Sequence, residues 1–363
     1  MHLFLYGKSN TGALELARRA LKTRADADAG FAFARIGEGG LHGFESVPAG
    51  SAALAGPDAL LEYSASLRRD ALAALNLPCR ILGALDAAPP ETLAVLSRHP
   101  RVKLIDLSRT SGGEALDAIR EFLDAPPLSE ALGVKRGVTA LVGGGGKTTL
   151  LHRLGKELSA SGRTLLCTST HIMRPECTLL IEPSEQELSR AFGREPLLAM
   201  GAFGPDGKLG PCRGELMNNL SALADYVLVE ADGSKRLPLK APAEHEPVLP
   251  RETDLVIALA GMSGAGKPIR EAAHRPERYA AIVEKPLDAA VTPKDIAKVL
   301  EHPFGQKKGV SGRFQVALNQ AESPGAYRAA LECTLSLNCD AAIVSLLSDH
   351  PVIERWRNQK CLW

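Results

Sequence analysis

The residues Val138-Thr139-Ala140-Leu141-Val142-Gly143-Gly144-Gly145-Gly146-Lys147-Thr148-Thr149-Leu150-Leu151 decide the fold of this chain. The first five form an apolar run of strand length, the four glycines interrupt it, and a helical pattern runs from Lys147 to about residue 160. Strand, glycine turn and helix in that order are the repeating unit of a parallel α/β sheet. Glycine lets backbone N–H groups approach an anion closely, and the helix N-terminus adds a favourable dipole. Lys147 is then placed to reach the β and γ phosphates of a nucleotide, and the Thr148 hydroxyl to ligate Mg2+. Gly143, Gly144, Gly145, Gly146, Lys147, Thr148 and Thr149 are therefore the expected nucleotide-binding residues, with Lys147 also assigned to catalysis.

Outward from this stretch, short apolar runs alternate with amphipathic ones over most of the chain. Towards the C-terminus, further strands are expected at residues 164–168, 179–182, 197–202, 226–230, 255–260, 315–318 and 341–346. Towards the N-terminus, strands are expected at residues 3–6, 80–82 and 102–105, and helices at 13–23, 90–98 and 112–123. Asp124-Ala125-Pro126-Pro127 breaks the last helical pattern and marks a boundary. The expected architecture is α/β throughout: a smaller α/β domain over residues 1–127, then a three-layer α/β/α domain over 128–363 with a mostly parallel sheet and a phosphate loop.

Composition narrows the functional classes. The chain has 363 residues, 45% hydrophobic and 23% charged, which excludes disorder as its main theme. With 43 basic against 42 acidic side chains there is no global field to gather a polyanion, and few aromatics are present to stack on bases. Nucleic acid is thus not an expected partner. No run approaches a membrane span, the apolar N-terminal stretch is too short for a signal peptide, and the seven cysteines are scattered with no C-x-x-C pair. A reduced, cytoplasmic protein without a membrane partner is the expectation. Neither a Ser/His/Asp order nor an H-E-x-x-H helix is present.

Other segments add candidates. Tyr226-Val227-Leu228-Val229-Glu230-Ala231-Asp232 is an apolar strand ending in carboxylates, which suits Mg2+; Glu230 is the first choice as metal ligand beside Thr148, and Asp232 the second. Both are also catalytic candidates. The following Lys235, Arg236 and Lys240 are either anion contacts or a solvated face. His171 after the strand at 164–168 is a further catalytic candidate, with His245 and His274 as weaker ones. Asn319, in Asn319-Gln320-Ala321-Glu322, sits where Asn-Lys-x-Asp reads a base and is a candidate base contact; Gln320 and Glu322 depart from that pattern, and although a carboxylate can accept two hydrogen bonds from a guanine edge, the extra methylene of Glu counts against guanine selectivity. Gly261-Met262-Ser263-Gly264-Ala265-Gly266-Lys267-Pro268 keeps phosphate-loop spacing, but Pro268 removes both the hydroxyl and an N–H, so it reads as a loop lining the site. Gly7 to Leu14 keeps the glycine spacing with Ala13 for lysine; with residues 39–44 and 102–107 it gives the first domain a resemblance to a degenerate small nucleoside triphosphatase.

The short Gly-Gly-Gly-Gly-Lys-Thr-Thr form, with Leu141 where the longer loop needs glycine, resembles that of Mur-type ligases and folylpolyglutamate synthases, and Thr168-Ser169-Thr170-His171 is similar to their Ser-Pro-His segment. These motifs, followed by Val229-Glu230-Ala231-Asp232-Gly233-Ser234-Lys235, Leu237-Pro238-Leu239-Lys240-Ala241-Pro242, Gly266-Lys267-Pro268 and His274-Arg275-Pro276, resemble the YqeC family over residues 136–350. That resemblance implies an accessory protein that matures selenium-dependent molybdenum hydroxylases or inserts their cofactor, with the hydroxylase or its cofactor as partner. On the residues themselves the cofactors are Mg2+ and a nucleotide, ATP as first expectation and GTP as second. A Mur-like ATP-dependent ligase or activating enzyme and a catalytically silent scaffold are the alternatives.

Overall fold

The computed structural model describes the strand backbones at residues 2–7, 32–37, 40–46, 59–63, 80–85 and 102–106, and then residues 110–123, 126–212, 215–348, 351–357 and 360–361. The chain divides into two compact units, Met1–Ala125 with Lys360–Trp363, and Pro126–Gln359. Among the described residues no helix is long and apolar enough to cross a membrane.

The first unit holds β1 (His2–Gly7), β2 (Ala32–Gly37), β3 (Gly40–Ser46), β4 (Ala59–Tyr63), β5 (Arg80–Leu85) and β6 (Val102–Asp106), followed by helix α1 (Gly112–Leu123). Its sheet runs β3-β2-β4-β1-β5-β6, with only the β2–β3 pair antiparallel. Sequence reading anticipates β1, β5, β6 and α1 and misses β2, β3 and β4, where alanine, arginine and glycine dilute the β-branched signal. The helices expected at 13–23 and 90–98, and the degenerate loop after Gly7, lie outside the described residues.

The second unit is a three-layer α/β domain. It opens with α2 (Leu128–Ala131), β7 (Gly137–Gly143), α3 (Lys147–Leu158) and β8 (Thr164–Thr168). β9 (Thr178–Ile181), α4 (Glu185–Phe192), β10 (Leu197–Phe203), β11 (Leu209–Gly210), α5 (Leu220–Leu223) and β12 (Tyr226–Glu230) follow. After β13 (Leu239–Lys240) come β14 (Thr253–Gly261), α6 (Ile269–Ala272), β15 (Ala273–His274), α7 (Pro276–Val283) and α8 (Pro293–Glu301). β16 (Arg313–Asn319), α9 (Pro324–Ser336), β17 (Asp340–Val344) and β18 (Val352–Arg357) complete the order. The sheet runs β11-β10-β8-β12-β7-β14-β16-β17-β18, with β9 on β10; only β11 and β18 pair antiparallel.

β7 lies in the middle of this sheet, and Val138, Ala140, Leu141 and Val142 are fully buried, as expected of a strand covered on both faces. On one face, Leu165, Cys167, Val227 and Val229 pack with Leu188 of α4 and Leu220 and Leu223 of α5. Leu166 turns to the opposite face and meets Gly155 of α3, where an added Cβ would lie 2.9 Å from its Cδ2. Helix starts follow local chemistry: Ser184 and Glu187 form a reciprocal cap on α4, as do Thr292 and Asp295 on α8.

Register decides which residues meet at the carboxyl end of the sheet. Leu141 pairs with Glu230, Gly143 with Leu259, and Gly261 with Asn319, so the ends of β12, β7, β14 and β16 form one edge. On β18, Glu354 is fully buried and is bonded by the Tyr327 hydroxyl of α9 and, at 2.9 Å, by Trp356 Nε1. Glu354→Ala leaves both buried donors without this acceptor; urea unfolding should show a loss of about 2–4 kcal/mol. A change within about 0.5 kcal/mol would show that the carboxylate is not what anchors this edge.

Candidate functional site

The site is built at the carboxyl end of β7. All four loop glycines are demanded by space: a Cβ at Gly143 would lie 2.2 Å from Leu259 O, at Gly144 2.8 Å from Leu237 O, at Gly145 2.4 Å from Gly261 N and at Gly146 2.5 Å from Asn319 Nδ2. Gly143, Gly145 and Gly146 also take left-handed φ angles of 96, 80 and 125°. The loop is fixed by its own donors. Gly143 N–H donates to Asp232 Oδ2 at 3.0 Å, Gly144 N–H to Leu259 O at 3.0 Å and Gly145 N–H to Leu237 O at 3.1 Å. These three amides are therefore engaged with the protein, which leaves the first turn of α3, beginning at Gly146, as the place where an anion could find backbone donors.

Lys147 is 3% exposed. Its Nζ donates to Gly143 O at 2.5 Å and lies 3.1 Å from Asp232 Oδ1, as an ion pair without a directed hydrogen bond. Thr148 donates to Glu230 Oε2 at 3.0 Å. The two expected metal ligands are thus adjacent, and Thr149 stands half-buried in the same first turn. Burial raises the Glu230 pKa above the ordinary carboxylate value, against the opposing pull of Lys147 and Thr148. Among the described residues no group of three or more His, Cys, Asp or Glu could hold an ion. A cation beside Thr148 and Glu230 would complete its shell with water and phosphate oxygens, the habit of Mg2+.

Asp232 is fully buried and serves a different role from Glu230. Besides Gly143 N–H and Lys147, its Oδ2 lies 2.9 Å from Lys240 Nζ. Lys240 in turn contacts Glu246 Oε2 at 2.9 Å, and the same oxygen accepts from Arg275 at 2.7 Å. The result is an alternating chain of charges, Lys147, Asp232, Lys240, Glu246, Arg275, that begins and ends on a cation. Neither a solvated face nor a free anion contact, the two expectations for Lys240, describes it, because it is buried inside this chain. Its joining element is the two-residue pairing of β13 with β15, which places Lys240 beside His274. Lys235 and Arg236 stay exposed, on consecutive left-handed φ angles of 49 and 64°.

The other candidates separate. Thr168 Oγ1 donates to Glu230 O at 2.9 Å and Ser169 N–H to the same carbonyl at 3.2 Å, so the segment after β8 is strapped to the carboxylate strand. His171 is exposed and packs against Gly204 and Gly210 around the β10–β11 turn, because Ile172 pairs with Leu209 and draws the chain that way. His245 is exposed. Asn319 is brought to the loop: Nδ2 donates to Gly145 O at 2.7 Å and Oδ1 accepts from Leu346 N–H at 3.0 Å. The second glycine loop lines the site as expected, with Gly261 against Gly145 and its N–H on Pro238 O at 2.8 Å. Sequence reading missed Glu246 and Arg275, whose one signal was a run of charged residues among prolines at 242–247 and 275–276.

Fold and site together define a three-layer α/β protein with a glycine loop, a buried lysine and a carboxylate pair at the centre of its sheet. A family model described as "YqeC protein" matches residues 139–277, which span the loop and the whole charge chain. The chain is 30% identical over 261 residues to the uncharacterized protein YqeC of Escherichia coli (strain K12), over 65% of this chain and 98% of the relative. It belongs to the YqeC family.

The charge chain makes stability depend on pH. Burial, then the charges of Arg275, Lys240 and Lys235, lower the His274 pKa from 6.5 to about 4. The unfolded chain then binds a proton that the folded one refuses, so stability falls as pH drops from 6.5 towards 4. For Glu246, burial pushes the pKa up, but the Lys240 hydrogen bond, the Ala243 N–H and the charges of Lys240 and Arg275 outweigh it and bring it from 4.5 to about 2. Its stabilisation is present above 4.5 and is lost between 4.5 and 2. Glu230, shifted upward, acts in the opposite sense above 4.5, so a variant is needed to isolate the histidine. Urea midpoints measured from about pH 8 to 3 should fall less steeply between 6.5 and 4 for His274→Gln than for the wild type. Superimposable profiles would contradict the assigned shift.

Proposed function

We propose that this chain binds a Mg2+–nucleoside triphosphate at the glycine loop and uses it as an accessory protein in maturing selenium-dependent molybdenum hydroxylases. The first half rests on one observation: Lys147 is buried at the foot of a loop shaped by its own hydrogen bonds, with Thr148 and Glu230 joined beside it. The second half rests on the family resemblance. Lys147 and the first-turn N–H groups of α3 would hold the phosphates. Thr148 and Glu230 would hold Mg2+, which when bound offsets phosphate charge. Asp232 positions Lys147 and does not need to touch the ion, since both its oxygens already face lysines.

Calorimetric titration with slowly hydrolysed triphosphates, with and without Mg2+, tests this reading. Lys147→Ala should weaken binding about tenfold or more while far-UV circular dichroism is unchanged, because charge-assisted contacts to phosphate are lost. Because Lys147 is also part of the buried charge chain, Thr148→Ala provides a second probe: it should retain the fold and lose most of the Mg2+ dependence. Well-folded wild type that binds no triphosphate would leave the scaffold reading in its place.

A further inference from the structure

At the ends of β16 and β17, next to the glycine loop, stands a second group of polar side chains, of which only Asn319 bonds the loop itself. Ser345, 5% exposed, donates its hydroxyl to Glu322 Oε1 at 2.8 Å. Asn319, also 5% exposed, bridges Gly145 O and Leu346 N–H. A Cβ on Gly146 would meet Asn319 Nδ2 at 2.5 Å and Leu346 Cδ1 at 3.5 Å, so these side chains touch the start of α3 directly. Leu347 beside them is 85% exposed, an apolar side chain left open at a polar edge. Gln320, on a left-handed φ of 63°, turns its Oε1 to Ser263 Oγ at 2.5 Å, which leaves Glu322 as the exposed acid of this turn.

We infer that Asn319, Glu322 and the Ser345–Leu347 turn form a base subsite that selects guanine; the inference rests on the triphosphate reading and adds the identity of the base. A carboxylate only accepts hydrogen bonds. Guanine presents two neighbouring donors, a ring N–H and an exocyclic amine, so both can go to one carboxylate. Adenine presents one donor beside a ring acceptor, which a carboxylate meets with repulsion. Asn319 Nδ2 carries a second hydrogen beyond the one given to Gly145, sufficient for the N7 acceptor of a purine. Leu347 supplies apolar contact for the face of the ring. The extra methylene of Glu322, which argues against guanine in the sequence, is accommodated because Ser345 ties the carboxylate down at the strand end.

Ribose-labelled, slowly hydrolysed guanosine, adenosine and xanthosine triphosphates, titrated with Mg2+ into the full chain, test the assignment. The wild type should bind the guanosine probe about tenfold or more tighter than the adenosine probe, the discrimination expected of a two-bond contact. Glu322→Gln, an exposed position, places a donor beside an acceptor; it should weaken the guanosine probe about tenfold and bind the xanthosine probe, which pairs an N–H with a carbonyl, better than the wild type does. Equal wild-type affinity for guanosine and adenosine probes, or a preference for adenosine, with no effect of Glu322→Gln, overturns the subsite and leaves the triphosphate reading standing. No binding of any probe overturns that reading and the subsite with it.

Discussion

The Asp232 carboxylate is the constraint on which the site depends. It is fully buried and must be balanced within the protein, and it is met by two ammonium groups and one backbone N–H. Leaving a buried charge without its partner costs about 3–5 kcal/mol, a large share of a domain's stability. Three pieces of chain are therefore held to one point: the end of β7 through Gly143, the start of α3 through Lys147, and β13 through Lys240. Burial lowers the Lys240 pKa, and both Asp232 and Glu246 oppose that shift. Glu246 and Arg275 extend the compensation outward until the last charge reaches partly solvated surface.

This arrangement sets the loop before any ligand arrives. With Gly143, Gly144 and Gly145 each donating to a protein acceptor, the cost of ordering the loop is met in folding, not in binding. The trade is fewer free donors in the loop itself. Asp232 shares one negative charge between two lysines and Glu246 meets the second of them, so the chain carries a net positive charge only when Arg275 at its far end is counted. Glu230 keeps its carboxylate for Thr148, and two neighbouring acids of the same strand end thereby acquire separate tasks.

What was legible in the sequence was what is local. β7, its glycines and α3 announce themselves because an apolar run, a forced turn and a helical period lie next to one another, and burial of β7 on both faces makes the apolar run continuous. The Glu230–Asp232 strand end was legible for the same reason, although the division of labour between the two acids was not. Lys240 with Arg275 was invisible because the pairing that unites them, β13 with β15, is two residues long on each side and too short to carry any period. His171 shows the limit of order alone: it follows β8 as expected, and the Ile172–Leu209 bridge carries it to the end of β10, beside the β10–β11 turn. β18 escaped because Glu354 and Arg355 interrupt its apolar pattern, and only the structure shows that Glu354 faces inward to Tyr327 and Trp356.

Asn319 shows why position and role must be separated. Its place at the end of β16 follows from motif order, yet its amide is bonded at both ends to backbone, to Gly145 in the glycine loop and to Leu346 beyond β17. Removing that side chain would release the glycine loop and the turn beyond β17 together, so a loss of affinity for the proposed ligand could not be assigned to either. Glu322 is different, because its hydrogen-bond partner among the described residues is Ser345, not a group of the glycine loop. A residue that supports two subsites reports on neither alone. The informative position in such an edge is the one whose contacts end at the group it is meant to read.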